Sequence, residues 1–228
     1  MRAGETAVLL DCGTGVFGRL QTVIDPLQVT AVVITHTHWD HICDLMPYYY
    51  RLKWSQDADR EPVALWLPPG GAARLNEIGR ITQQNGRMTE EFTAREYAPG
   101  QQAAIGALSI VFQAVTHYVS AFSVRLELGG RSLVYTGDTG PDPALAPLAQ
   151  GADLFLCEAV SQGSEKPEGL WGHLSAREAG RVAAAAGVGR LLLTHLLPDV
   201  DPAVSVREAA EEFNGPVAWT EERRIYSV

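Results

Sequence analysis

Short apolar runs punctuate the chain, at residues 7–10, 31–35, 63–67, 108–116, 122–128, 132–136, 154–157 and 191–194. Most are bounded by Gly, Asp or Pro, and several are rich in β-branched residues, which predicts strands rather than helices. Between them the period changes. In "SAREAGRVAAAAG" (residues 175–187), Ser175 and Glu178 form the S-x-x-E capping box and Gly187 supplies a stop signal. Residues 202–213 form a second helical segment, opened by Asp201-Pro202 and closed by Asn214-Gly215. The stretch "PPGGAARLNEIGRITQQ" (residues 68–84) predicts a turn and then a helix.

Strands and helices alternate at both ends of the chain, whereas residues 95–136 read as consecutive strands, with the hairpin signal "LGGRS" at 128–132. This order predicts a layered α/β fold with sheets rather than a purely doubly wound one. No internal repeat or linker interrupts it, so residues 1–228 read as one domain.

Composition narrows the class. Hydrophobic residues make up 46% and charged residues 20% of 228 positions, which are values of an ordinary globular chain. A net charge of −9, with no basic run longer than Arg223-Arg224, argues against a surface for long nucleic acids. Cys12, Cys43 and Cys157 match no zinc ribbon and cannot all pair, so free thiols and a reducing, cytoplasmic setting are expected. No signal peptide or membrane span is legible.

The informative regularity is where the strands stop. His36, His117, Asp138 and His195 each follow the last apolar residues of a run, at a position where a rigid sheet meets free loops. The first of these opens "HTHWDH", in which His36 and His38 would point to the same side of an extended segment. Asp40 and His41 follow as the chain turns toward a helix. Plainer readings exist for each residue alone: Asp138 suits a turn, Asp40 a helix N-cap, and His173 precedes a capping serine. Against them stands the specific H-x-H-x-D-H pattern, together with all six histidines falling at such positions. Nitrogen and oxygen donors without a placed thiolate suit two divalent metals that share a carboxylate. The segment "YYYRLKW" (residues 48–54) offers two readings, a nucleotide clamp with Arg51 and Lys53 or a buried helical face. The spacing of Ile42, Leu45, Met46 and Tyr49 favours the buried face.

These motifs resemble the metallo-β-lactamase superfamily: H-x-H-x-D-H after a strand, a lone histidine, a G-D-T turn and a late strand-end histidine. "LLDCGTG" (residues 9–15) is similar to its first motif, with Asp11 as a structural carboxylate. Residues 157–195 look most like the ribonuclease Z and phosphodiesterase branch. The resemblance implies a four-layer αββα sandwich. It also implies one metal on His36, His38 and His117, a second on Asp40, His41 and His195, and Asp138 bridging them. Zinc is the first expectation for both ions, with manganese as the alternative. Asp40 would orient or deprotonate the nucleophile, and His173 would donate a proton to the leaving group with Glu158 as its partner.

Such a site implies a hydrolase that uses a metal-bridging hydroxide, because paired ions bring the pKa of a water toward neutrality. His41 in the second ligand set favours hydrolysis over iron-based oxygen chemistry. Ribonuclease Z enzymes that process transfer RNA carry a long arm between the positions equivalent to His117 and Asp138. Here that interval holds only 20 residues, 118–137. Small or cyclic phosphodiesters are therefore the expected substrates. A thioesterase or lactonase is the alternative, and a tRNA-processing ribonuclease or a non-catalytic scaffold ranks lower. The family opens with a strand some twenty residues before its first motif, whereas this chain starts almost at it. An unpaired or differently covered sheet edge near residues 7–10, open to a homodimer contact, is the corresponding expectation.

Overall fold

A strand that returns to its sheet through a helix runs parallel to its predecessor, whereas a tight turn forces an antiparallel pair. Both regimes occur here. The computed structural model describes residues 1–57, 61–82, 88–163 and 168–228. It divides into two units, Met1–Ala98 with Ala104–Leu108, and Pro99–Ala103 with Ser109–Val228. Two sheets with flanking helices give the mixed α/β class that the strand pattern predicts.

The first unit holds a sheet in the order β1-β2-β3-β4-β5, formed by Arg2–Ala3, Thr6–Leu10, Ala31–Val33, Ala64–Leu67 and Thr93–Glu96. Strands β2 to β5 pair in parallel. Helices α1 (Val16–Leu20), α2 (Trp39–Ile42), α3 (Leu45–Lys53) and α4 (Gly71–Ile81) lie in their crossovers. Every residue of β3 is fully buried, as expected for a strand covered on both faces. Tyr48, Tyr49 and Leu52 of α3 join Ile34 and Leu65 in the core of this unit, so the tyrosines of "YYYRLKW" are packing residues. Helix α4 falls within the expected 68–84 segment, whose positions 83 and 84 lie outside the described residues.

The expected open edge at residues 7–10 is corrected. Strand β1 pairs antiparallel with β2, matching Arg2 to Ala7 and Ala3 to Thr6. Beyond that register, the Met1 amino group donates to Val8 O at 2.7 Å and Val8 N donates to Met1 O at 2.8 Å. With β3 on its other side, Ala7 and Val8 are already paired on both sides within one chain, while Leu9 and Leu10 lie beyond the β1 register, so the edge is covered over half of its expected length.

The second sheet has the order β12-β11-β10-β9-β8-β7-β6, from β6 (Gln102–Ile105) to β12 (Val217–Trp219). Strands β7 (Leu108–Val115), β8 (Ala121–Leu128) and β9 (Arg131–Tyr135) form an antiparallel meander. The hairpin turns at Gly129-Gly130, where "LGGRS" places it. Strands β9, β10 (Leu154–Glu158), β11 (Leu191–Thr194) and β12 pair in parallel. Their crossovers hold α5 (Leu145–Ala149), α6 (Ala176–Ala186) and α7 (Pro202–Ala210). Helix α6 buries the stripe Ala176, Ala179, Gly180, Ala183 and Ala186 in the core of this unit. Ser175 and Glu178 complete the capping box, and Gly187 closes the helix in the left-handed conformation. Helix α7 ends at Ala210, short of the expected residue 213, where the chain tightens into an i→i−3 turn from Glu212 N to Ala209 O.

Strand direction positions the chemistry. Because β7 and β9 both run antiparallel to β8, strands β7, β9, β10 and β11 share one direction. Their C-terminal ends therefore lie on one edge of the second sheet. In the first sheet, parallel β2 and β3 likewise end side by side. Ligand sites of open α/β sheets form outside such carboxyl ends.

Candidate functional site

In the first unit the loops after β2 and β3 are tied together by one buried carboxylate. Asp11 accepts from Thr35 N at 2.7 Å, from Thr35 Oγ1 at 2.9 Å and from His41 Nδ1 at 2.8 Å. Because the carboxylate accepts from Nδ1–H, the proton stays on Nδ1 and the lone pair of His41 lies on Nε2, the state that a metal ligand requires. Asp11 itself adopts a left-handed backbone with φ 59°, a conformation that costs a non-glycine residue of order 1–3 kcal/mol. The side-chain hydrogen bonds from Thr35 and His41 hold it there. Gly13 lets the same loop touch the start of α2, since a Cβ at this position would lie 1.6 Å from Asp40 O.

The predicted donors of this unit converge. His36 Nε2 and His38 Nδ1 lie 3.1 Å apart, the His36 and His41 ring centroids are 4.1 Å apart, and His41 Nε2 is 3.6 Å from Asp40 Oδ2. His36 and His41 are buried, His38 is half-buried and Asp40 is exposed. Asp40 sits in the first turn of α2, whose N-cap is His38, so its side chain is not used for capping.

In the second unit the donors come from separate strand ends and gather around Asp138. His117 Nε2 is 3.9 Å from Asp138 Oδ2, His195 Nδ1 is 3.1 Å from Asp138 Oδ1, and His173 Nδ1 is 4.0 Å from Asp138 Oδ2. His117 Nδ1 donates to Gly172 O at 2.7 Å. A carbonyl can only accept, so this bond places the lone pair of His117 on Nε2. His195 is a second non-glycine residue in the left-handed region, with φ 57°.

Behind Asp138 lies a buried carboxylate. Both oxygens of Glu158 are 3.2 Å from His173 Nδ1, and the backbone N–H groups of Leu174 and Thr139 also donate to it. Burial pushes the Glu158 carboxyl up to about 7, the hydrogen bond from His173 opposes this, and the charge of Asp138 adds to the rise. Asp138, Glu158 and His173 offer ligand atoms within 4.8 Å of one another.

These donor sets fit divalent metals. Atoms about 2.0 Å from a tetrahedral ion lie about 3.3 Å from each other. The spacings within each unit, 3.1 and 3.6 Å in the first and 3.1 and 3.9 Å in the second, bracket that value. Two histidines with fixed tautomers strengthen the match. Sequence reasoning missed the second tier, namely the roles of Thr35, Thr139 and the Gly172 carbonyl. No residue type marks a backbone acceptor, so only the folded loops reveal it. All three cysteines are free, and Cys12 and Cys157 are buried. Among the described residues no helix is long and apolar enough to cross a membrane.

Comparison with known proteins bears on the same residues. Residues 6–196 match the family model described as "Beta-lactamase superfamily domain". An uncharacterized protein of Mycobacterium tuberculosis, Rv1339, is 38% identical over 224 residues, covering 95% of this chain and 80% of that protein. The probable metallo-hydrolase YhfI of Bacillus subtilis is 30% identical over 217 residues, covering 95% and 86%. The crystal structure of YhfI, described as a metallo-beta-lactamase fold protein, superposes with a TM-score of 0.86 at 26% identity, covering 99% and 89%. Ribonuclease Z of Mycobacterium bovis is 31% identical over 242 residues, covering 95% and 86%.

Proposed function

The chain belongs to the beta-lactamase superfamily and is a metallo-hydrolase, and from that premise we propose that it hydrolyses small or cyclic phosphodiesters. In this reading His36, His38 and His117 would hold one divalent ion, Asp40, His41 and His195 would hold a second, and Asp138 would serve both. Zinc is the first choice for both ions and manganese the second. When bound, the metals supply an acidified water and polarise the phosphoryl oxygen.

The observation that carries the proposal is the pair formed by His173 and Glu158 beside Asp138. Expulsion of an alkoxide from a phosphodiester demands a proton, whereas a thiolate leaves without one. Glu158 holds the His173 ring at Nδ1, which leaves Nε2 for proton delivery. Asp11 fixes His41, and the Gly172 carbonyl fixes His117, so both imidazoles would present Nε2 to a cation. Asp40, exposed at the start of α2, orients the attacking water.

Small substrates are favoured over transfer RNA on two grounds. The chain is acidic, and the interval between His117 and Asp138 is filled by β8, the turn at 129–130 and β9. The likeness to a ribonuclease Z supports phosphodiester chemistry, and the short interval argues against its substrate.

The test is turnover of a chromogenic phosphodiester alongside a thioester and a lactone, all with one metal-loaded preparation. Phosphodiester turnover should exceed the others by orders of magnitude and vanish in His36→Ala. Preference for the thioester or the lactone would overturn the assignment, as would a metal-loaded protein inert toward the phosphodiester.

A further inference from the structure

An aromatic ledge adjoins the proton donor. Trp171 is 56% exposed and Tyr118 is 40% exposed, so both large rings face solvent. The two rings meet edge to face, with centroids 4.7 Å apart and planes at 70°. Tyr118 also packs against His117 and His173, with centroids at 4.9 and 5.5 Å.

The backbone beneath this ledge is fixed, which sets it apart from an incidental exposed tryptophan. The Tyr118 hydroxyl donates to Gly169 O. A Cβ on Gly172 would come within 2.9 Å of the Tyr118 ring, and one on Gly140 would lie 2.2 Å from Trp171 O. Gly172 in turn accepts from His117 at 2.7 Å. Thus the segment carrying Trp171 also sets the tautomer of a proposed metal ligand and leads directly into His173. The exposed indole, braced by Tyr118 and two residues from His173 in the chain, leaves apolar surface for a flat ligand group.

We infer that Trp171, backed by Tyr118, is the stacking platform for a nucleobase, so that the phosphodiesters taken by this site are nucleoside derivatives. The inference rests on the phosphodiesterase reading for the placement of the phosphate. Base–aromatic stacking is tolerant of base identity and needs no basic groove, in keeping with the acidic chain. Trp171 is a specificity-determining residue in this account and takes no part in proton transfer.

The test reads binding rather than turnover. Adenosine 5′-monophosphate and ribose 5-phosphate differ by the base alone and can be titrated calorimetrically into the metal-loaded protein. The wild type should bind the nucleotide about 10- to 100-fold more tightly than the sugar phosphate. That gap should close in Trp171→Ala and persist in large part in Trp171→Phe, and unchanged thermal melting would confirm that the exposed side chain is dispensable for folding. Equal affinities in the wild type, or an undiminished gap in Trp171→Ala, would overturn the inference. Because no bond is broken, the base preference can fail while chromogenic turnover stands, and the reverse, so the two readings are separately exposed.

Discussion

The histidine loop of the first unit and the Asp138 cluster of the second solve one problem in opposite ways. In the first, four donors lie within six residues, 36 to 41, and local geometry brings them together. In the second, His117, Asp138, Glu158, His173 and His195 are scattered over 79 positions, and only the common direction of β7, β9, β10 and β11 gathers them. Each set nevertheless has a buried carboxylate behind it, Asp11 in one and Glu158 in the other. Each also contains one non-glycine residue in the left-handed region, Asp11 and His195. Short-range and long-range assembly thus converge on donors held by an outer tier of hydrogen bonds, with backbone strain kept where the surrounding bonds over-determine it.

Breaking the long-range set should have the largest effect. Asp138→Ala removes the residue around which the second cluster is organised. Phosphodiester turnover should fall by about 10⁴-fold or more, the scale of several kcal/mol of lost transition-state stabilisation. A residual rate within tenfold of wild type would show that the cluster does not need its centre. Removal of the proposed proton donor comes next. His173→Ala should lower kcat by about 10²- to 10⁴-fold on substrates with alkoxide leaving groups. Nitrophenolate leaves without assistance, so the loss on a nitrophenyl diester should be far smaller. An equal loss on both would contradict the assignment of His173.

The outer tiers sharpen the comparison. Asp11→Asn keeps the shape of the carboxylate but weakens its hold on His41 Nδ1–H, and metal affinity measured by competition with a chelator should drop about 10- to 100-fold. Unchanged affinity would make Asp11 a purely structural turn residue. The smallest effect belongs to a residue next to the site in sequence but outside its chemistry. Ser175→Ala deletes the cap of α6 and should cost about 1 kcal/mol of stability in denaturant unfolding. Turnover should stay at the wild-type level, and a large loss of kcat would mean that the serine does more than cap.

The two regions also differ in how far the sequence discloses them. "HTHWDH" is legible at once, because strand alternation and a helix start lie within one short window. His117, Asp138 and His195 are visible only as strand ends, and become a set through family resemblance. The eight apolar runs all correspond to strands, and the capping box predicts the start of α6 to the residue. What escapes is short or carried by the backbone. Strands β1 and β12 have two and three residues, and helices α1 and α5 have five each, too few for a period to emerge. The expected open edge at Ala7 and Val8 failed for that reason, since the residues that pair with them form or flank a two-residue strand. The aromatic ledge escapes for another. Tyr118 and Trp171 are 53 positions apart, and tertiary contacts bring them together, among them the close approach of Gly172 to the tyrosine ring and the bond from its hydroxyl to Gly169 O.

The central claim is that both clusters serve one pair of ions centred on Asp138. Metal content per chain, measured by mass spectrometry after reconstitution with zinc and removal of excess, addresses it most directly. The account predicts two ions per wild-type chain and a marked drop in Asp138→Ala, because a bridging carboxylate is common to both sites. One ion per wild-type chain, or two retained in Asp138→Ala, would contradict it.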